Sequence, residues 1–83
     1  MILNVIDAKY KDEFKIDLRF DNGEHYIIDM KPVLKREKRT IFQPLKDKNY
    51  FKNFIIKYNT ITWPNEADFA PEFLLKTAKK QNA

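Results

Sequence analysis

Residues 14–30 read FKIDLRFDNGEHYIIDM, and this stretch decides the fold. Apolar and charged residues alternate on both sides of Asn22-Gly23, which is the period-two pattern of half-buried strands joined by a tight turn. The large apolar residues that share one face are Phe14, Ile16, Leu18, Phe20, Tyr26, Ile28 and Met30. The sequence therefore predicts an antiparallel hairpin with one buried face.

Two registers are compatible with this turn. A two-residue primed turn would place Phe20 opposite His25, whereas a type I turn with Gly23 as the bulge residue shifts the pairing by one position. The second register pairs Phe20 with Glu24, Leu18 with Tyr26 and Ile16 with Ile28. It gathers the large apolar side chains on one face and sets Lys15 opposite Asp29, so we predict the bulged hairpin.

Further strands are predicted on either side of the hairpin. An earlier strand lies within residues 2–10, and two short strands occupy residues 54–58 and 60–63. Residues 40–45 are expected to be extended, because Pro44 disfavours helical geometry at the residue before it.

Helical segments complete the prediction. Asp47 is suited to cap a short helical turn over residues 49–53. Pro71 suits the first position of a C-terminal helix, and Glu72 beside it complements the helix dipole. We therefore expect an α+β fold: a small curved antiparallel sheet of four to five strands, with a short helical segment and a C-terminal helix packed on one face.

Length and composition limit the architecture. The chain has 83 residues, is 43% hydrophobic and carries a net charge of +4. It can build one core, so we predict a single domain over residues 1–83, with an ordered part at about 2–80 and a frayed tail at 81–83. The absence of cysteine excludes disulfides and thiolate metal sites and is typical of a reducing compartment.

The start of the chain does not indicate a membrane protein. Asn4 and Asp7 interrupt the apolar opening, whereas a signal peptide needs about 7–15 apolar residues and a spanning helix about 20. We expect a cytoplasmic protein with no membrane partner.

The residues needed for catalysis are scarce. Serine and cysteine are absent, which excludes both as nucleophiles. The single histidine, His25, is predicted to lie on the outer face of the hairpin, and Asp17 and Asp29 alternate there with Lys15 and Arg19 rather than lining a pocket. We therefore expect no enzymatic activity, no cofactor and no metal site, and we assign no catalytic residue.

A basic segment, residues 31–39, follows the hairpin. Its cations are Lys31, Lys35, Arg36, Lys38 and Arg39. They could form a solvated surface, or they could contact nucleic acid or an acidic protein. No aromatic residue alternates with them, as stacking on single-stranded nucleic acid would require.

The segment from Trp63 to Glu72 reads WPNEADFAPE, and we call it the corner. Its two prolines stiffen a connection between a strand and a helix. It is either a rigid turn packed on the core or a recognition surface, since aromatic anchors are enriched at binding hot spots. Asp68 could also bind free amides at the helix start. The candidate partner-binding residues are Trp63, Asn65, Asp68 and Glu72.

In its order of motifs the chain resembles the bacterial domain of unknown function 2442 family, over about residues 2–75. The motifs that carry the resemblance are Phe20-Asp21-Asn22-Gly23-Glu24, Asp29-Met30, Phe42-Gln43-Pro44-Leu45-Lys46-Asp47, Tyr50-Phe51, Trp63-Pro64-Asn65, Ala67-Asp68 and Ala70-Pro71-Glu72 with Leu74. The family usually has glycine where this chain has Glu66. If that position requires a positive φ, Glu66 must be strained or change the turn.

The resemblance implies a small cytoplasmic bacterial protein without recognised enzymatic activity. Some members carry a helix-turn-helix domain after this one, and genes of the family often lie beside those of another small family, as in toxin–antitoxin pairs. We therefore expect a non-enzymatic protein-binding module, antitoxin-like, with a protein partner encoded nearby. The alternative is a nucleic-acid-binding regulator that uses residues 31–39. The strand within residues 2–10 could also pair two copies into a homodimer.

Overall fold

Five strands and four helical segments make up residues 2–83, the part of the chain that the computed structural model describes. In chain order they are β1 (Val5–Tyr10), β2 (Lys15–Phe20), β3 (His25–Asp29), α1 (Lys31–Arg36), a 3-10 helix (Thr40–Lys46), α2 (Lys48–Phe51), β4 (Ile55–Lys57), β5 (Thr60–Thr62) and α3 (Pro71–Gln81). The predicted α+β class is confirmed. None of the helices within residues 2–83 has the length and apolar character needed to cross a bilayer.

The hairpin of β2 and β3 has the predicted bulged register. Gly23 has a φ of +89° and its N–H donates to the Phe20 carbonyl (3.1 Å), while the Phe20 N–H donates to the Glu24 carbonyl (2.9 Å). The pairs Leu18–Tyr26, Ile16–Ile28 and Lys15–Asp29 follow from this turn. Burial of one complete apolar face therefore selects this register, as expected.

The predicted single sheet of four to five strands is wrong, because the strands form two antiparallel sheets. One has the order β1-β2-β3, and the other consists of β4 and β5. β1 contains a bulge between Val5 and Asp7, and the Val5 N–H donates to the Asn59 carbonyl at the tip of the second hairpin (2.9 Å). This bulge interrupts the regular pairing of β1 with β2, and the contact of β1 with the second sheet does not extend into a ladder. Pairing of two copies through β1 stays a prediction.

Residues 40–45, predicted to be extended, belong to the 3-10 helix instead. Phe42 and Leu45 are three positions apart, and a 3-10 helix has three residues per turn, so both side chains point into the core. Pro44 lies inside the segment and its carbonyl accepts the Asp47 N–H (3.2 Å). The free energy gained by burying Phe42 and Leu45 thus outweighs the preference of Gln43, the residue before Pro44, for an extended conformation.

Both predicted helices are present. Asp47 caps α2, and its carboxylate accepts the Asn49 N–H (3.1 Å). α3 begins at Pro71 and packs on β3. It extends to Gln81, the first residue of the predicted frayed tail. The Gln81 side-chain amide accepts the Asp29 N–H and donates to the Asp29 carbonyl, both at 2.8 Å, so it occupies the edge of β3 as a strand would.

Glu66, at the position where the resemblance leads us to expect glycine, has a backbone conformation that favours glycine. Its φ is +70°, in the left-handed region that a side chain disfavours. The Glu66 N–H donates to the Trp63 carbonyl, and the Trp63 N–H donates to the Ala67 carbonyl, both at 2.9 Å. The turn is therefore retained and Glu66 is strained, with its carboxylate held by the Lys57 ammonium (2.9 Å).

We expect E66G to be more stable than E66A by about 1 kcal/mol, because only glycine removes the left-handed strain. Both variants lose the exposed contact to Lys57, so their difference isolates the backbone effect. Urea unfolding followed by circular dichroism measures it. Equal stability of the two variants would contradict the assigned strain.

Candidate functional site

Trp63, a candidate partner-binding residue, is part of the core. It is 2% exposed, and its indole N–H donates to the Phe51 carbonyl (2.7 Å). Its ring lies 5.4 Å from the ring of Phe51 and 5.9 Å from that of Phe69. A ring enclosed in this way cannot contact a partner, so the rigid-turn interpretation of the corner holds for Trp63.

The other candidates in the corner have different roles. The Asn65 side chain accepts the Ala67 N–H (3.1 Å) and donates to the Ile41 carbonyl (2.8 Å), which ties the corner to the 3-10 helix. Asp68 is exposed and forms an isolated bridge with Thr62; α3 has no side-chain cap, so the capping role expected of Asp68 is wrong. Glu72 is exposed in the first turn of α3.

A cavity of about 440 Å³ lies between the corner and the 3-10 helix, and we call it the corner cavity. Two large apolar side chains at its border are partly exposed: Ile41 at 43% and Phe73 at 41%. The cavity is lined by Glu37, Arg39, Ile41, Phe42, Glu66, Ala67, Asp68, Phe69, Ala70 and Phe73. Arg39 of the basic segment and Asp68 of the corner thus meet at one site, which the sequence did not predict.

Aromatic rings form the wall of the corner cavity. The ring of Phe69 lies 4.9 Å from that of Phe42 and stacks on that of Phe73 at 5.7 Å. The Arg39 guanidinium lies 4.7 Å from the centre of the Phe42 ring. The cavity therefore combines an apolar wall with charged side chains at its rim.

Arg39 is held in place by Glu37. Its Nε and Nη2 atoms donate to the two Glu37 carboxylate oxygens at 2.8 and 2.9 Å. This hydrogen bonding from Arg39 lowers the pKa of Glu37 to about 2. Arg39 is thus already paired, and among residues 2–83 Lys35, Arg36 and Lys38 of the same segment form no ion pair.

The basic segment divides over two sites. Lys31 and Lys35 lie one turn apart on α1 and line a second cavity of about 290 Å³, which we call the basic groove. The groove is lined by Phe14, Lys31, Leu34, Lys35 and Lys46. Arg36 and Lys38 are exposed, and Arg39 faces the corner cavity. The five cations therefore do not form one continuous binding site.

Glu13 lies beside the basic groove between two ammonium groups. Its carboxylate is 2.8 Å from Lys48 Nζ and 3.5 Å from Lys31 Nζ. The hydrogen bond from Lys48, with the added charge of Lys31, lowers the pKa of Glu13. One carboxylate thus pairs with two ammonium groups, so positive charges outnumber negative charges around the groove.

The outer face of the hairpin has an ordinary surface arrangement. His25 lies opposite Arg19 as predicted, and its Nε2 contacts the carboxylate of Asp17, a partner the sequence did not suggest. Within residues 2–83, no three histidine or acidic side chains converge in a way that could hold a metal ion.

Sequence reasoning did not identify the two exposed apolar residues of the corner cavity, Ile41 and Phe73. The residues of α3 that reach the core include Leu74 and Ala78, which are four positions apart, and Phe73 lies at the border of that buried face. Ile41 precedes Phe42 in the 3-10 repeat and so points away from the core. The three-residue spacing of Phe42 and Leu45 is the sequence signal that could have predicted the 3-10 helix and, with it, the exposure of Ile41.

Comparisons with known proteins find a sequence family and a structure of similar fold. A sequence model of the family described as protein of unknown function (DUF2442) matches residues 5–80. The crystal structure of NE0471 from Nitrosomonas europaea ATCC 19718, for which DNA binding has been proposed, superposes with a TM-score of 0.80 at 16% identity. The match covers 99% of this chain and 52% of that one, so this chain spans about half of its length. No curated protein matches the sequence.

We expect W63F to lower the free energy of unfolding by about 2–3 kcal/mol, because it leaves the Phe51 carbonyl without its donor and opens space in the core. Urea unfolding measures the loss. Y58F is the control, since Tyr58 is an aromatic residue that is 71% exposed, and its cost should stay below about 0.5 kcal/mol. A similarly small cost for W63F would contradict a structural role.

Stability should depend on pH through Glu37. Because its pKa is lower in the folded chain than the usual 4.5, its contribution is present above about pH 4.5 and is lost as the pH falls towards 2. E37Q lacks this contribution, so the stability gap between wild type and E37Q should narrow over this range. Urea midpoints measured from pH 7 to about pH 2.5 test this. A gap that stays constant would contradict it.

Proposed function

This chain belongs to the DUF2442 family of proteins of unknown function, and on that premise we propose that it is a non-enzymatic protein-binding module whose contact surface is the corner cavity. The observation that carries the proposal is the pair of large apolar side chains, Ile41 and Phe73, exposed beside a cavity with a charged rim. An apolar centre with a polar border is the usual composition of protein interfaces.

The arrangement of the corner supports this proposal. Asn65 ties the corner to the 3-10 helix, and the stacked rings of Phe69 and Phe73 hold the wall of the cavity. A surface that is already ordered loses little conformational entropy when a partner binds. Asp68 and Arg39 supply charges of both signs at the rim, which can select a partner of matching pattern.

We further propose that the partner is encoded by a neighbouring gene and that this chain is the antitoxin-like member of a toxin–antitoxin pair in the cytoplasm. The family resemblance supports this assignment, since it implies that genes of the family often lie beside those of another small family, an arrangement suggestive of such a pair. The net charge of +4 favours an acidic partner, and association with it should weaken as salt is added.

A nucleic-acid-binding role is the second candidate. Two observations favour it: Lys31, Lys35, Arg36 and Lys38 are exposed, and DNA binding has been proposed for the Nitrosomonas protein of similar fold. That protein is about twice as long, so its binding residues could lie in either half. The pairing of Arg39 with Glu37 removes one of the predicted phosphate contacts.

For the protein-binding proposal, co-expression with the products of neighbouring genes should yield a complex in size-exclusion chromatography. F73A should weaken that complex about tenfold or more, because it removes an exposed aromatic anchor. Y58A, which truncates an exposed aromatic residue of the second hairpin, is the matched control and should change binding less than about twofold. Separate elution of all the proteins would overturn the proposal.

For the nucleic-acid proposal, the chain should bind duplex DNA at low salt with an affinity that falls steeply as salt rises. The logarithm of the binding constant should fall by about 0.9 per phosphate contact for each unit of log salt. Replacing Lys31, Lys35, Arg36 and Lys38 by glutamine should flatten this slope. Absence of binding to duplex and single-stranded DNA at low salt would exclude this role.

A further inference from the structure

The basic groove is a second cavity whose chemistry differs from that of the corner cavity. Its volume is about 290 Å³, with Phe14 and Leu34 as apolar residues and Lys31, Lys35 and Lys46 as cations. The lysines come from two separate segments, α1 and the end of the 3-10 helix. The tertiary fold therefore assembles a positive rim around an apolar floor.

The floor of the groove is held rigidly. Leu34 is 3% exposed and belongs to the core. Phe14 has a φ of +65°, and its ring packs edge-on against that of Phe51 at 5.1 Å. Because both side chains are fixed by the core, they cannot turn inward to close the groove.

The rim carries positive charge that the chain does not neutralise locally. Lys31 shares Glu13 with Lys48, so one carboxylate serves two ammonium groups. Among residues 2–83, neither Lys35 nor Lys46 forms an ion pair. Both are exposed and available to an incoming anion.

We propose that the basic groove binds an acidic segment of a partner protein, with one apolar side chain of that segment over the exposed part of Phe14 and flanking carboxylates on Lys35 and Lys46. This inference rests on the proposed function, because the acidic segment belongs to a protein partner. The positive charge of the lysines favours carboxylates in the bound segment. The apolar floor favours an apolar side chain between those carboxylates.

A peptide fits this groove better than a nucleic acid does. Phosphates would satisfy the lysines but would leave the exposed part of Phe14 in contact with water. A leucine side chain covers such a floor and gains the free energy of its own burial. Contact with nucleic acid is therefore an outcome of the test that would contradict the inference.

A synthetic peptide tests the inference without knowledge of the natural partner. The probe is a fluorescein-labelled peptide of about twelve residues, with a central leucine flanked on both sides by glutamates, titrated with the full chain in fluorescence anisotropy. Replacing its glutamates by glutamines should weaken binding about tenfold, and replacing its leucine by alanine about fivefold. Absence of binding, or an unchanged affinity of the alanine peptide, would overturn the inference.

Variants of the chain locate the binding site. K35E/K46E should weaken binding of the glutamate peptide about tenfold or more. K76E/K80E makes the same change in net charge on the exposed face of α3 and should weaken it less than about threefold. Circular dichroism verifies that both variants are folded. Equal losses in the two variants would show a general charge effect and would contradict a site in the groove.

Two further measurements distinguish this inference from the proposed function. If the co-expressed complex forms and K35E/K46E leaves its affinity unchanged, the groove inference fails while the protein-binding function stands. If no complex forms but the peptide binds with the expected selectivity, the protein-binding function fails and the groove keeps its assigned chemistry. Displacement of the peptide by single-stranded DNA, and not by an excess of unlabelled peptide, would overturn the inference in favour of nucleic acid.

Discussion

The hydrogen bond from the Trp63 indole to the Phe51 carbonyl, together with the packing of the two rings, joins the parts of this small fold. Phe51 also contacts the rings of Tyr10 and Phe14, which belong to the first sheet and its turn. Trp63 follows the second sheet directly. One aromatic cluster thus joins two sheets that share no ladder, in addition to the hydrogen bond from the Val5 N–H to the Asn59 carbonyl. Loss of the central contact of this cluster leaves a buried carbonyl without a donor.

Both candidate sites extend from this cluster. Trp63 touches Phe69, which stacks on Phe73 at the corner cavity. On the other side, Phe51 touches Phe14, which forms the floor of the basic groove. The apolar part of each site is therefore continuous with the core. This explains how a chain of 83 residues can hold partly exposed aromatic rings in defined positions.

The charged residues divide in a corresponding way. Glu37 neutralises Arg39 at the corner cavity, whereas Glu13 is shared between Lys31 and Lys48 beside the basic groove. The same basic segment thus supplies a paired guanidinium to one site and ammonium groups in excess to the other. A partner that contacts both sites would meet a mixed rim at one and a positive rim at the other, and this difference can orient it.

The sequence by itself determined what depends on near neighbours. The alternation through residues 14–30 with Gly23 settled the hairpin register, Asp47 and Pro71 marked the starts of two helices, and the motifs identified the family. Only the tertiary structure decided the separation into two sheets, the 3-10 helix around Pro44, the burial of Trp63, and the division of the basic segment between two cavities. The physical reason is the distance along the chain over which the stabilising contacts act, because a turn or a helix cap is stabilised by residues only a few positions away. The burial of Trp63 and the position of Lys35 at the basic groove depend on contacts between segments that are distant along the chain. The local sequence pattern does not specify how those segments pack together.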